Sequence, residues 1–117
     1  KKYRDYFELP EQHKEVITPW LAFPLVIKEK SPFKRKQLQI FLERNYIQTR
    51  TIFTGNILRQ PIMKNRIFRK IQDAEKEANK VMKNGLLIGC HQGLSAQDLN
   101  YITNIFKKFL KHINEKN

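Results

Sequence analysis

Hydrophobic and polar positions repeat with two different periods along this chain, and the switches between them lay out its elements. Trp20 to Lys28 (WLAFPLVIK) is dense in β-branched and aromatic residues and predicts a strand. Pro24 lies inside it and cannot donate to a ladder, so an edge position or a bulge is expected there. Ser31 and Pro32 predict a helix start, the serine capping free amides and the proline tolerated in the first turn. From Phe33 to about Asn45 the period becomes helical. Leu38, Phe41 and Leu42 share one face, which leaves Lys34, Arg35, Glu43 and Arg44 to water. Ile47 to Phe53 predicts a second strand.

Thr54 to about Arg69 has little periodicity, and so long an irregular stretch in a small domain is unusual unless it binds something or moves. A helix is expected over Ile71 to Lys83, with Ile71, Ala74, Ala78 and Val81/Met82 as its apolar stripe. Asn84-Gly85 should end it, Gly85 being suited to a left-handed cap. Leu86 to Cys90 is a short continuous apolar run and predicts a buried strand. Ser95 with Asp98 three residues later has the form of a capping box. The helix it opens should run from Ala96 to Ile113, with Leu99, Ile102, Ile105/Phe106, Phe109/Leu110 and Ile113 on one stripe. Residues 1–19 are polar, punctuated by Pro10 and Pro19, and read as a lead-in with at most a short helix.

The expected order is strand, helix, strand, long loop, helix, strand, helix. That is an α+β, two-layer small domain of about three strands with helices on one face, occupying residues 20–117 after the 1–19 lead-in.

Composition bounds the picture further. The 117 residues fit one domain, and 40% hydrophobic with 29% charged content is neither membrane-like nor disordered. No apolar run is long enough to span a bilayer, and the first residues lack the apolar stretch of a signal peptide. With no initiator Met, a piece of a longer chain is expected. The single cysteine, Cys90, excludes an internal disulfide and a multi-cysteine metal site, and fits a cytoplasmic setting.

The net charge of +12 points toward nucleic acid, anionic lipid or phosphorylated substrates. The lysines are spread over the whole chain, however, with no RRM, zinc-finger or KH signature beside them. A solvated basic surface, or one facing an acidic neighbouring domain, accounts for them better than a nucleic-acid interface.

Candidate chemistry concentrates between Gln48 and Pro61 (QTRTIFTGNILRQP). Arg50 and Arg59 carry planar guanidinium forks matched to phosphate and carboxylate oxygens, and Thr54, Asn56 and Gln60 add neutral hydrogen-bonding groups. Such a loop can hold an anionic, hydroxyl-rich small molecule. The bland alternative is that the arginines make structural ion pairs and Asn56 bonds its own turn.

A catalytic engine is not evident. His13, His91 and His112 are far apart and at no metal-ligand spacing. Cys90 and His91 are strand neighbours that point to opposite faces. His91, at the C-terminal end of a strand, is open to two readings, lining a site or bonding the turn backbone. The four glycines form no Walker or dinucleotide-binding pattern.

Taken in order, AFPLVIKE, SPFKRKQLQIFLERNYIQTRTIFTGNILRQP and GLLIGCHQGLSAQDLNYI resemble the C-terminal domain of DegT/StrS-type enzymes, with features of their RfbH-like lipopolysaccharide-biosynthesis branch. The shared features are a TR-x-x-F-x-GN-x-x-RQP run after a strand and an IG-x-x-x-GL turn before the last helix. The resemblance covers roughly residues 20–113. The chain departs from it at Asn65–Asp73 (NRIFRKIQD), and at Gln92, where relatives often carry proline.

The resemblance implies the small C-terminal domain of a fold type I enzyme dependent on pyridoxal or pyridoxamine phosphate (PLP or PMP). Such an enzyme modifies a nucleotide-linked 4-keto-6-deoxy sugar as a 3-dehydrase or an aminotransferase. It further implies that the cofactor is bound mainly by a missing N-terminal domain, that the full-length enzyme is a homodimer, and that this chain alone is inert. Substrate-binding roles then fall on Arg50, Phe53, Asn56, Arg59, Gln60 and His91, with no catalytic residue, metal or membrane contact expected here. A basic nucleic-acid-binding α+β module is the competing reading.

Overall fold

The computed structural model describes residues 2–69, 71 and 73–115. Its frame is one antiparallel sheet of four strands: β1 (Phe7–Glu8), β2 (Ala22–Ile27), β3 (Thr49–Arg50) and β4 (Gly85–Gly89), in the spatial order β1-β2-β4-β3. Three α-helices join them: α1 (Arg35–Arg44), α2 (Ala74–Asn84) and α3 (Ala96–Asn114). The α+β class and the alternation of strands and helices agree with the sequence pattern; strand count and extent do not.

The additional strand is β1, in the segment expected to be a polar lead-in. Phe7 pairs with Ile27 and is 2% exposed, so the short 3-10 turn Lys2–Asp5 and β1 belong to the packed sheet. The predicted second strand contracts to Thr49–Arg50, because the chain leaves the sheet at Thr51. Pro24 sits where the edge argument requires. β1 reaches only Val26 and Ile27, so at Pro24 the strand is paired on the β4 side alone.

Register sorts the sheet's two faces. Phe7, Phe23, Leu25, Ile27, Leu86 and Ile88 point one way, by the two-residue alternation and the cross-strand pairs. Leu38 and Leu42 of α1 and Ile105, Phe106, Phe109, Leu110 and Ile113 of α3 cover that face. Each such side chain stabilises by about 1.5–3 kcal/mol when fully buried. Phe33, just before α1, closes the layer edge-on against Phe109 at 4.9 Å. Among the described residues α2 contributes no side chain to this core; Lys80 instead meets Glu8, which alternates away from Phe7, at 2.7 Å. Only α1 and α3 therefore form the expected helical layer.

Helix ends show where local signals held. Ser95 and Asp98 form the predicted capping box: the Ser95 amide and hydroxyl donate to Asp98 Oδ2 at 2.8 and 2.7 Å. Ser31 does not cap α1, which starts at Arg35; its hydroxyl donates to the Tyr6 carbonyl at 2.9 Å and ties the β1 end to the α1 approach. α2 begins at Ala74, so Ile71 lies outside it and is 70% exposed, while Gln72 of the expected helix lies outside the described residues. α2 then passes into β4 without a loop. Gly85 is extended (φ −78°, ψ 141°), not left-handed. A glycine is needed there for space, since a Cβ would sit 2.5 Å from the Val81 carbonyl and 2.7 Å from Ile52 Cδ1.

Among the described residues no helix is long and apolar enough to cross a membrane.

Candidate functional site

The segment after β3 is held at both ends by hydrogen bonds made within the chain. At its start, the Thr49 amide and hydroxyl donate to Glu43 Oε1 at 2.6 and 2.7 Å. These bonds, the hydroxyl's first, hold the Glu43 carboxyl below the usual carboxylate range. Further on, two 3-10 turns, Ile57–Arg59 and Pro61–Met63, give the irregular stretch its shape. Asn56 caps the first turn, its Oδ1 accepting from the Leu58 amide at 2.9 Å. Its Nδ2 donates to Asn79 Oδ1 on α2 at 2.9 Å, and the residue is 1% exposed.

Gly55 lets the loop lie on α2. Its φ is +70°, and a Cβ would come within 2.7 Å of Met82 Cγ, so both the conformation and the approach require glycine. Gln60 Nε2 donates to the Thr54 carbonyl at 3.0 Å across the loop. Arg35 completes the arrangement from α1. Its Nη1 donates to the carbonyls of Met82 at 2.7 Å and Gly85 at 3.3 Å, anchoring the C-terminal end of α2. Amphipathic spacing had assigned Arg35 to water.

Two concavities result. Phe53, Thr54, Gly55 and Gln60 line a pocket of about 330 Å³ with Arg35 and Met82. Arg59 lines a larger groove of about 980 Å³ with Lys28, Lys30 and the α2 residues Lys76, Lys80 and Lys83. The six candidate residues thus do not share one site. Phe53, 94% exposed, and Gln60 meet at the small pocket, Arg59 stands at the groove, and Asn56 is buried.

Arg50 is exposed, and its Nη1 donates to its neighbour's carbonyl, Thr49 O, at 3.2 Å. His91 is exposed beyond β4, its Nδ1 accepting from the Gly93 amide at 3.1 Å. Neither lines the pocket or the groove. Arg35, Asn79 and Met82 are the site residues that sequence reasoning did not find. A polar Asn79 next to the apolar stripe of α2 was the one available sign. Among the described residues no group of three or more His, Cys, Asp or Glu side chains converges as metal ligands would.

The model of the DegT/DnrJ/EryC1/StrS aminotransferase family matches residues 2–107. The lipopolysaccharide biosynthesis protein RfbH of Salmonella typhimurium is 32% identical over 105 residues, covering 90% of this chain and 24% of that protein. The GDP-4-keto-6-deoxy-D-mannose 3-dehydratase of Escherichia coli O55:H7 is 29% identical over 106 residues, covering 91% of this chain and 27% of the dehydratase.

Among solved structures, the E. coli GDP-4-keto-6-deoxy-D-mannose-3-dehydratase with bound hydrated PLP superposes with a TM-score of 0.75. The match is at 27% identity and covers 89% of this chain and 27% of that one. This chain therefore spans about a quarter of the length of the relatives it matches.

Proposed function

As the chain belongs to the DegT/DnrJ/EryC1/StrS aminotransferase family, we propose that it works as the C-terminal small domain of a PLP- or PMP-dependent enzyme that modifies a nucleotide-linked 4-keto-6-deoxy sugar. On this reading the parent acts in lipopolysaccharide sugar biosynthesis, as a 3-dehydratase or an aminotransferase. The observation that carries the reading is the superposition of 89% of this chain on a quarter of a PLP-bound 3-dehydratase, together with 32% identity to RfbH. The domain takes in β1 as well as residues 20–117, since Phe7 is packed into its core. The parent is a homodimer whose larger N-terminal domain, absent here, holds the cofactor.

The donor set on this chain does not fit the cofactor. Among the described residues no carboxylate is buried where it would face a pyridine nitrogen, and no lysine is buried in apolar surroundings. The chain's own part is to bind and to cover. Arg59 and Arg50 offer guanidinium groups to phosphate or sugar oxygens. Phe53 supplies an exposed ring at the mouth of the small pocket, and Asn56 and Gln60 keep the loop in shape. His91 is the sixth candidate, with Nε2 free of the turn bond made by Nδ1.

The test is Arg59→Ala in the full-length enzyme, assayed on its nucleotide-sugar substrate. A rise in KM of at least tenfold is expected, about 1.4 kcal/mol of binding. An unchanged KM would sink the assignment of Arg59, and a full-length enzyme without PLP-dependent turnover would sink the reading itself. The competing nucleic-acid module rests on the +12 charge alone, and it predicts binding of generic duplex or single strands with steep salt dependence.

A further inference from the structure

Three short motifs follow one another after β3 at a spacing of five residues: Ile57-Leu58-Arg59, Ile62-Met63-Lys64 and Ile67-Phe68-Arg69. Each sets an isoleucine and a second apolar residue before a cation. A five-residue spacing belongs neither to the 3.6-residue period of a helix nor to the two-residue period of a strand, so packing on this chain's own core does not account for it. The side chains agree. Exposure rises along the series, from 51% at Ile57 through 69% at Ile62 to full exposure at Ile67, and Arg59, Lys64 and Arg69 are all exposed.

The charge in this stretch has one sign. Between Glu43 and Asp73 the sequence has seven Lys or Arg and no Asp or Glu. Among the described residues Lys64, Arg66 and Arg69 make no ion pair. The third motif also stands off the body of the domain. Non-glycine residues in the left-handed region bound it, Asn65 at φ +65° and Asp73 at φ +62°. The Arg66 amide donates to the Met63 carbonyl at 3.2 Å, and the next backbone tie among the described residues runs from the Lys76 amide to the Asp73 carbonyl at 3.0 Å. The second and third motifs line neither the small pocket nor the groove.

These features select the partner. Apolar side chains bare to water are stabilised by an apolar phase, and unpaired cations beside them by anions. A protein partner would have to supply a cleft shaped to an irregular, projecting stretch. The headgroup region of an anionic bilayer supplies both chemistries at every point and needs no matching shape. The contact is with the surface, since among the described residues no helix is long and apolar enough to cross a membrane.

We propose that Ile62, Ile67 and Phe68, flanked by Lys64, Arg66 and Arg69, seat this chain on an anionic lipid surface. The family resemblance implied no membrane contact, and the third motif lies where the chain departs from that resemblance. Lipid contact is independent of the enzyme reading above, because its test reads no turnover.

The experiment is co-sedimentation with lipid vesicles, for the 117-residue chain and for the full-length parent. Circular dichroism serves as the check that each variant is folded. Vesicles of phosphatidylglycerol and phosphatidylcholine in equal parts should bind both proteins at least tenfold more tightly than phosphatidylcholine alone, and added salt should weaken the binding. The pair I67S/F68S, which leaves the charge intact, should weaken it at least fivefold. The pair R66Q/R69Q should do the same. The pair K107Q/K108Q, which removes the same charge from exposed positions of α3, should change it less than twofold.

A loss from R66Q/R69Q with none from I67S/F68S, or equal losses from R66Q/R69Q and K107Q/K108Q, would reduce the contact to general charge and overturn the proposal. So would the absence of binding to either vesicle. Binding of poly-L-glutamate that depends on Ile67 and Phe68, without binding of vesicles, would overturn it in favour of an acidic protein. Vesicle binding by the chain but not by the parent would show the stretch covered within the enzyme, and would overturn it too. An inactive parent that binds vesicles leaves it standing.

Discussion

Arg35→Met is the sharpest test of how the site is held. The substitution keeps most of the aliphatic stem and removes the guanidinium that donates to Met82 O at 2.7 Å and Gly85 O at 3.3 Å. These carbonyls close the C-terminal end of α2, where a cation also faces the negative end of the helix dipole. A charge-assisted hydrogen bond of good length contributes about 1.5–3 kcal/mol, the longer one less, and the dipole term about 0.3–1 kcal/mol. Because Arg35 is half-buried, the lower half of that range applies, and the expected loss is roughly 2–3 kcal/mol. A domain of this length unfolds with about 0.25 kcal/mol/K of entropy, so each kcal/mol moves Tm by about 4 °C. Thermal unfolding followed by far-UV circular dichroism should therefore show Tm lower by roughly 8–12 °C. Arg35→Lys should recover only part of this, since an ammonium lacks the planar fork. A Tm within about 2 °C of the unaltered chain, under 0.5 kcal/mol, would refute the claim that Arg35 anchors α2.

Gly55→Ala should cost about 2–3 kcal/mol in urea unfolding, combining left-handed strain with the 2.7 Å approach to Met82 Cγ; an unchanged midpoint refutes the close packing of loop on helix. Asn56→Ala should cost about 1–3 kcal/mol by leaving the Leu58 amide and Asn79 unpaired, and a double-mutant cycle with Asn79→Ala should give coupling of roughly 1 kcal/mol; additive losses would dissolve the tie. Thr49 holds the Glu43 carboxyl below its ordinary range, by its hydroxyl first and its amide second, and Ser95 does the same for Asp98. In both cases the folded pKa lies below the unfolded one. Their stabilisation is thus full at neutral pH and is lost as pH falls below about 4 through the folded values. Thr49→Val and Ser95→Ala should each flatten the fall of the urea midpoint with acid, and an unaltered slope would show that the bonds are absent in solution.

What the sequence disclosed was local. The α3 stripe and the Ser95–Asp98 box depend on residues three or four apart, so they read directly and reappear in place. β1 did not, because two residues cannot display a period, and only residues distant in sequence, Ile27 across the ladder and the rings of Phe33 and Phe106, make Phe7 a core residue. Gly85 carried a correct signal with the wrong cause: the position demands glycine because Ile52 and Val81 crowd it, not because its backbone is left-handed. Arg35 was assigned to water by its place on the α1 face, yet its reach lets it bond carbonyls 47 and 50 residues away. The candidate loop was legible as a cluster of polar groups and illegible as a site, since spacing says nothing about which groups the loop spends on itself.

That division is the step from fold to function. Of the amides in the loop, Asn56 is consumed by Leu58 and Asn79, and Gln60 donates to Thr54, so their effect on any ligand passes through the position of the backbone they fix. Arg59 and Phe53 remain with their functional groups in solvent, one at a groove with surplus positive charge and the other at a small pocket two-thirds smaller. A surface that separates a cationic groove from a pocket beside an exposed ring presents two different chemistries. The same tie that buries Asn56 also fixes the distance between those two places, because it fastens the 3-10 turn bearing Arg59 to the helix that floors the pocket through Met82. Loss of that tie should therefore displace Arg59 relative to Met82 even though the Asn56 side chain lines neither concavity.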